Sequence, residues 1–242
     1  IPPHDTLAAA FVLAQTAPYF PEGTLHVAVV DPGVGTERAI LAARLGGQAF
    51  LLPDNGVLTF LAEALPLESM VIVRNLKYLP AAEPSMTFHG RDVFAPIAGA
   101  ILNGEDIHDL GPQPDRYKML DVKAPRKEGE ALAGEVIYVD RFGNLITNIS
   151  ESLVNDTFHE IENLLVRCNG ETIGNLQASY GHVQIGQPLA LFNSMGLLEI
   201  AVNRQRACDV LGIGVGTEVW VEHRPRRRLS SHKVGHLKSK QD

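Results

Sequence analysis

Sulfur, membrane-length apolar runs and the short strings that mark common catalysts are what this sequence has least of. Only two cysteines occur in 242 residues, Cys168 and Cys208. They form no CxxC pair and no disulfide framework, so a reducing, cytoplasmic setting is expected, with both thiols acting as small apolar side chains. No apolar run approaches the ~20 residues of a membrane helix, and no signal-peptide pattern is visible. GxSxG, Walker A and HExxH are missing, which argues against nucleophile-elbow hydrolases, P-loop NTPases and zincins. The composition, 45% hydrophobic and 20% charged, is that of a globular protein and argues against a disordered chain, a collagen-like repeat or a coiled coil.

Positive charge is also scarce, except at one end. Residues 224–242 hold 7 of the 21 Lys and Arg and 1 of the 28 Asp and Glu, which leaves 1–223 with 14 basic and 27 acidic residues. An acidic body does not draw nucleic acid to itself, so neither a nucleic-acid nor a membrane partner is expected. The tail 224–242 is basic and is expected to be a disordered, solvated end.

Patterning divides the rest. Asp5 caps an expected helix over 6–15, with Leu7, Phe11 and Ala14 on one face. The continuous apolar run at 25–30 suits a strand buried on both faces, and 49–52 and 70–73 read as a second and a third strand. Helices are expected over 57–64 and 91–103, the second tolerating Pro96 only near its first turn. These strands end in loops rich in Gly, Asp and Asn, where open α/β sheets bind ligands. Residues 125–134 read as a linker. Beyond them, short runs at 136–139, 145–149, 164–167, 189–192, 197–202 and 218–222 alternate with turn signals, as in a small antiparallel barrel or sandwich. The expected fold is α/β: an N-terminal α/β sandwich domain with a mostly parallel sheet (1–124), the linker, and a smaller antiparallel β-barrel-like domain (135–223).

Five polar turns could carry chemistry. In Asp31-Pro-Gly-Val-Gly-Thr-Glu-Arg38 two glycines allow a ligand close to the backbone, and Arg38 can fold back to orient the Asp31 carboxylate. A tight turn with a structural ion pair fits the same residues. In Phe88-His-Gly-Arg-Asp92, His89 could transfer a proton or simply be a hydrogen-bonded structural histidine. Pro53-Asp-Asn-Gly56 is a strong turn signal that could also line a polar pocket. In Asp140-Arg-Phe-Gly-Asn144, Phe142 could stack on a flat base while Asp140 and Asn144 read polar edges or an ammonium group; a hairpin with a core aromatic is the plainer reading. Asn193-Ser-Met-Gly196 is a fifth polar turn. The Gly33–Gly35 string lacks the third glycine of a dinucleotide fingerprint. His4, Asp5, Asp31, Asp54, Asn55, His89 and Asp92 have the chemistry of a two-metal phosphohydrolase, though their spacing matches no metal-ligand motif.

Taken in order, these motifs resemble the S-adenosyl-L-methionine (SAM) hydroxide adenosyltransferases, adenosine-forming SAM hydrolases related to fluorinating and chlorinating enzymes. The resemblance runs from Ile1-Pro-Pro-His-Asp5 through all five turns, to about residue 222. It implies a homotrimer with sites between the N-terminal half of one subunit and the C-terminal half of its neighbour. It also implies hydrolysis of SAM to adenosine and methionine, with no cofactor and no metal. The family's water-handling Asp, Arg and His correspond to Asp31, Arg38 and His89, with Gly90 beside the nucleophile. Their presence favours water over a halide. Substrate contacts are implied at Asp140, Phe142 and Asn144, at Ser194 for the methionine carboxylate, and at Asn203 and Arg204 for adenine. Met195 replaces the Arg that follows the serine in the halogenases. Family members also open with a Thr-Asp-Phe-Gly type segment that binds the ribose; it lies before the point matched by Ile1, so either a longer chain or impaired turnover is expected. A SAM- or adenosine-binding module without turnover is the alternative.

Overall fold

The computed structural model describes residues 1–79 and 84–224. The basic tail expected over 224–242 therefore lies outside the described residues except for Arg224.

The N-terminal half is a three-layer unit. Helix α1 (Thr6–Thr16) starts where the Asp5 carboxylate accepts the Ala8 N–H at 2.9 Å. Strands β1 (Leu25–Val27), β2 (Ile40–Leu45), β3 (Gln48–Pro53) and β4 (Leu67–Ile72) form one sheet in the order β1-β3-β2-β4, with α2 (Thr59–Ala64) between β3 and β4. Strand β1 pairs parallel with β3, while β2 is antiparallel to both β3 and β4. Three strands thus point one way and β2 alone is reversed, which makes the sheet mixed. Alternation along β2 and β3 feeds two cores. Leu41, Leu45, Phe50 and Leu52 pack with Ala9, Leu58 and Leu61. Ile40, Ala42 and Leu51 pack on the other side with Phe94, Ile97, Ile107 and Leu110.

The helix expected over 91–103 is in two parts. A π-helical turn, Gly90–Phe94, precedes α3 (Ala95–Leu102). Pro96 is the second residue of α3, just after the Ala95 N–H closes the π turn onto the Gly90 carbonyl, so its missing N–H falls where one helical pattern passes to the other.

The expected linker 125–134 is instead a hairpin. Strand β5 (Arg126–Glu128) pairs antiparallel with the start of β6 (Ala131–Val139). Its charged side chains concealed it, because an exposed edge strand needs backbone partners more than apolar residues. The sheet continues through β7 (Leu145–Ser150), β8 (Leu164–Cys168), β9 (Glu171–Asn175), β10 (Pro188–Phe192), β11 (Leu197–Val202) and β12 (Glu218–His223), in the order β10-β11-β7-β6-β12-β8-β9. A bridge between Leu176 and Ala190 brings the two ends of that order together, so the sheet is a nearly closed barrel. Short helices α4 (Glu151–Thr157) and α5 (Ala207–Leu211) add Val154 and Ala207 to its core. Cys168 lies in the barrel core, where burial pushes its thiol up to about 11. The two halves meet where Phe11 of α1 stacks on Tyr138 of β6, ring centroids 5.0 Å apart. Among the described residues no helix is long and apolar enough to cross a membrane.

One half-buried ring makes the N-terminal sheet sensitive to acid. His26 stacks on Phe50 at 4.9 Å and meets Phe20 edge-on at 5.1 Å. Gln48 donates its amide N–H to the Ala17 and Phe20 carbonyls, so its oxygen faces His26 Nε2 at 3.2 Å. Burial lowers the His26 pKa below 6.5, outweighing the Gln48 bond that raises it. The unfolded chain therefore takes up a proton before the folded one does. The stability held by the neutral ring is complete above pH 6.5 and is lost as pH falls through the lower folded value. Thermal melts from pH 7.5 down to 5 are expected to fall more steeply for the wild type than for His26→Gln; parallel slopes would refute this.

Candidate active site

The Asp31–Arg38 loop begins three residues beyond β1, after the connecting segment 28–30. Its chain is tied in place by Ala28 N–H to the Leu51 carbonyl at 3.0 Å, and by Asn55 Nδ2 to the Val30 carbonyl at 2.9 Å. The Pro53–Gly56 turn thus braces the loop, and Asp54 caps the Lys118 N–H at 2.7 Å. Within the loop, Thr36 closes a turn onto the Gly33 carbonyl through both its N–H and its hydroxyl. Gly35 has φ +77°, and a Cβ there would fall onto the Met86 carbonyl oxygen. The glycine is what lets this loop lie against the segment that carries His89.

Three side chains converge there. Arg38 Nε donates to Asp31 Oδ1 at 2.8 Å, and its Nη2 donates to Asp31 Oδ2. The same Nη2 donates to His89 Nδ1 at 3.1 Å. Both members of the ion pair are buried, at 9% and 4% side-chain exposure for Arg38 and Asp31. A guanidinium has no acceptor, so His89 must offer a lone pair at Nδ1 and carry its proton on Nε2. The imidazole is therefore a hydrogen-bond donor on its free side, and the carboxylate beside it is the acceptor. Phe94 backs the guanidinium at 5.8 Å. Arg91 and Asp92 pair in the helical turn that follows. The Arg91 bond first, and then the Ser85 N–H, hold the Asp92 carboxyl at about 2.

A second polar group lies on the barrel. Asp140 and Asn144 cross-link the β6–β7 turn: Asp140 Oδ1 accepts the Asn144 N–H at 2.9 Å and Oδ2 accepts Asn144 Nδ2 at 3.1 Å. Gly143 packs on Arg206, which reaches the Arg141 carbonyl at 2.8 Å. Phe142, at the tip, is 78% exposed and not in the core. Ser194 is exposed on the β10–β11 turn. Asn203 Nδ2 donates to the Val183 carbonyl at 2.8 Å, and Arg204 is left-handed at φ +60°. Among the described residues, no hydrogen bond or ion pair joins the Asp31–Arg38–His89 set to these barrel residues. Neither is any group of three His, Cys, Asp or Glu gathered to hold a metal among them, and Asp31 is engaged by Arg38. The two-metal alternative thus lacks its ligand cluster there.

Sequence reasoning passed over Glu199, a buried acid hydrogen-bonded to Tyr180 and Asn193 beside this barrel group. Its signal was one acid in the apolar run of β11.

Residues 1–111 match the SAM hydroxide adenosyltransferase N-terminal domain, and residues 134–220 match the C-terminal domain of the same family. The chain belongs to the SAM hydroxide adenosyltransferase family. Among its relatives, the (R)-S-adenosyl-L-methionine hydrolase of Salinispora tropica is 37% identical over 224 residues, covering 91% of this chain and 83% of that protein. The hydrolase of the same name from Thermus thermophilus is 37% identical over 225 residues, covering 90% and 84%. The crystal structure of an uncharacterized conserved protein from Thermotoga maritima superposes with a TM-score of 0.83 at 33% identity, over 92% of this chain and 86% of that one. The sandwich and the barrel of this family member are therefore those of a solved relative.

Proposed function

We propose that the chain hydrolyses SAM to adenosine and L-methionine, with water as the nucleophile at the ribose C5′. The observation that carries this reading is the closed Asp31–Arg38–His89 arrangement, an acceptor and a donor side by side and locked by one guanidinium. The relatives named as SAM hydrolases support the substrate.

The reaction asks little of an acid. A bond forms from the water oxygen to C5′, the C5′–S bond breaks, and its electron pair leaves with a sulfur that was already positive. The water loses a proton. The work of the site is to hold one water in line with the C5′–S bond and away from bulk solvent. Asp31 accepts a hydrogen bond from that water, and His89 Nε2–H steadies its oxygen. Arg38 holds both. A pair that presents an acceptor to the nucleophile favours water, which has a proton to give, over a halide, which has none.

Gly90 lines the nucleophile position. Asp140 and Asn144 contact the methionine and nucleoside portions, with Phe142 between them, Ser194 contacts the methionine carboxylate, and Asn203 with the Arg204 backbone holds adenine. The site forms between the N-terminal half of one subunit and the barrel of the next in a homotrimer. Two features support this. Among the described residues, no bond joins the two groups within one chain. Apolar side chains near His89 and on the barrel turn are also exposed, with Phe88 at 58%, Met86 at 63% and Phe142 at 78%.

Turnover of SAM in water enriched in oxygen-18 tests the reading. The 5′-hydroxyl of the adenosine should carry the label, seen as a mass shift of the intact nucleoside. Binding without turnover, or unlabelled product, would overturn it.

A further inference from the structure

Glu199 lies in the middle of β11 at 3% exposure, between the cross-strand neighbours Leu191 and Ile146. A carboxylate is disfavoured in such a place unless both oxygens find donors, and an apolar side chain would fill the strand position without needing any. Both donors are present, and they come from two different loops. The Tyr180 hydroxyl, in the 3-10 turn Tyr180–His182, donates to Oε1 at 2.6 Å. Asn193, in the β10–β11 turn, donates from Nδ2 to Oε2 at 3.3 Å.

The Asn193 amide can face only one way. Its oxygen already accepts the N–H groups of Met195 at 3.0 Å and Leu197 at 3.2 Å, so its nitrogen must point to position 199. A continuous chain of bonds therefore runs from Glu199 through Asn193 to the Met195 and Leu197 backbone that follows Ser194. Asp140 lies close enough for its charge to add to the burial that raises the pKa values of both Glu199 and Tyr180. The buried acid thus ties together the turns around the barrel's polar group.

We propose that Glu199 is a positioning residue for substrate binding. By holding Tyr180 and Asn193, it sets the Ser194 turn against Asp140 and so governs affinity for SAM, not the rate of the chemical step. This rests on the assignment of Asp140, Asn144 and Ser194 to the substrate made above.

Steady-state kinetics with SAM on the full chain, alongside thermal melts, tests the proposal with three variants. Glu199→Leu keeps the bulk and loses both acceptors; KM is expected to rise about tenfold while kcat stays within about threefold of wild type. Glu199→Gln recovers most of the loss, because its oxygen can meet Asn193 while its amide nitrogen donates to the Tyr180 oxygen. Tyr180→Phe removes one donor and should raise KM by about threefold. A purely structural role would lower the active fraction, and with it kcat, at unchanged KM; that result would overturn the proposal. If Glu199→Leu fails to fold, Tyr180→Phe decides, since that ring is already 43% exposed; an unchanged KM there sinks the idea. Wild-type turnover is the control: its absence refutes the functional reading, whereas its presence with three unchanged KM values refutes only the role of Glu199.

Discussion

Asp31→Ala is expected to lower kcat by about a thousandfold while SAM still binds. The carboxylate is the acceptor of the arrangement, and no neighbouring group can replace it. Arg38 only donates, and His89 has its one free lone pair occupied by Arg38. Without Asp31 a water near C5′ keeps a donor but has nothing to take its proton. The substitution also leaves a guanidinium at 9% exposure without its partner, so a fall in melting temperature accompanies the kinetic effect. Calorimetric binding of SAM separates the two consequences. Affinity should stay within about tenfold of wild type, because the substrate contacts proposed above lie on the barrel turns and not on this carboxylate. A kcat retained within tenfold would make the Asp31–Arg38 pair a structural brace.

The second large effect is expected at a residue with no side chain. Gly35→Ala should lower kcat by about a hundredfold, since displacements near 1 Å in a positioned site cost that much. The glycine has φ +77°, and its missing Cβ is where the Met86 carbonyl oxygen sits. Alanine would push the Asp31–Arg38 loop away from the segment carrying His89 and stretch the Arg38–His89 bond. Gly23→Ala is the matched control. Its φ is +80°, yet nothing lies within 4 Å of a Cβ there. Both variants bear the left-handed backbone cost of about 1 kcal/mol, but only Gly35→Ala disturbs the site. Equal kcat in the two would show that the close approach to Met86 does not matter.

The parts read correctly in the sequence were those in which local chemistry dictates structure. Asp5 caps α1 because a carboxylate before an apolar-periodic run has orphan N–H groups to satisfy. Arg38 reaches Asp31 because seven residues with two glycines form a loop short enough to bring them together. The missed elements have weak local signals. Strand β2 is Ile-Leu-Ala-Ala-Arg-Leu, alanine-rich and poor in the β-branched residues that favour strands, and it forms because β3 and β4 offer it backbone partners on both sides. Strands β5 and β9 are polar and pair at the margins of the sheet. His89 stands 51 residues from Arg38, and only the order of motifs across a family linked them in the sequence. Glu199 has the same difficulty in stronger form. Its partners lie 19 and 6 residues away, on turns whose meeting depends on how the barrel closes.

That closure also sets an order in which the strands of the two halves become available in time. The four strands of the N-terminal sheet all lie between residues 25 and 72 and can pair as soon as that stretch has left the ribosome. The barrel has no such early core. Strand β12, residues 218–223, lies between β6 and β8 and hydrogen-bonds to both. Until it is synthesised, β6 is left with β5 and β7 alone, and β8 has only β9. The pairing of the strand that leads into Asp140 is therefore completed only when nearly the whole described chain is present, after the sheet beside the Asp31–Arg38 loop can form.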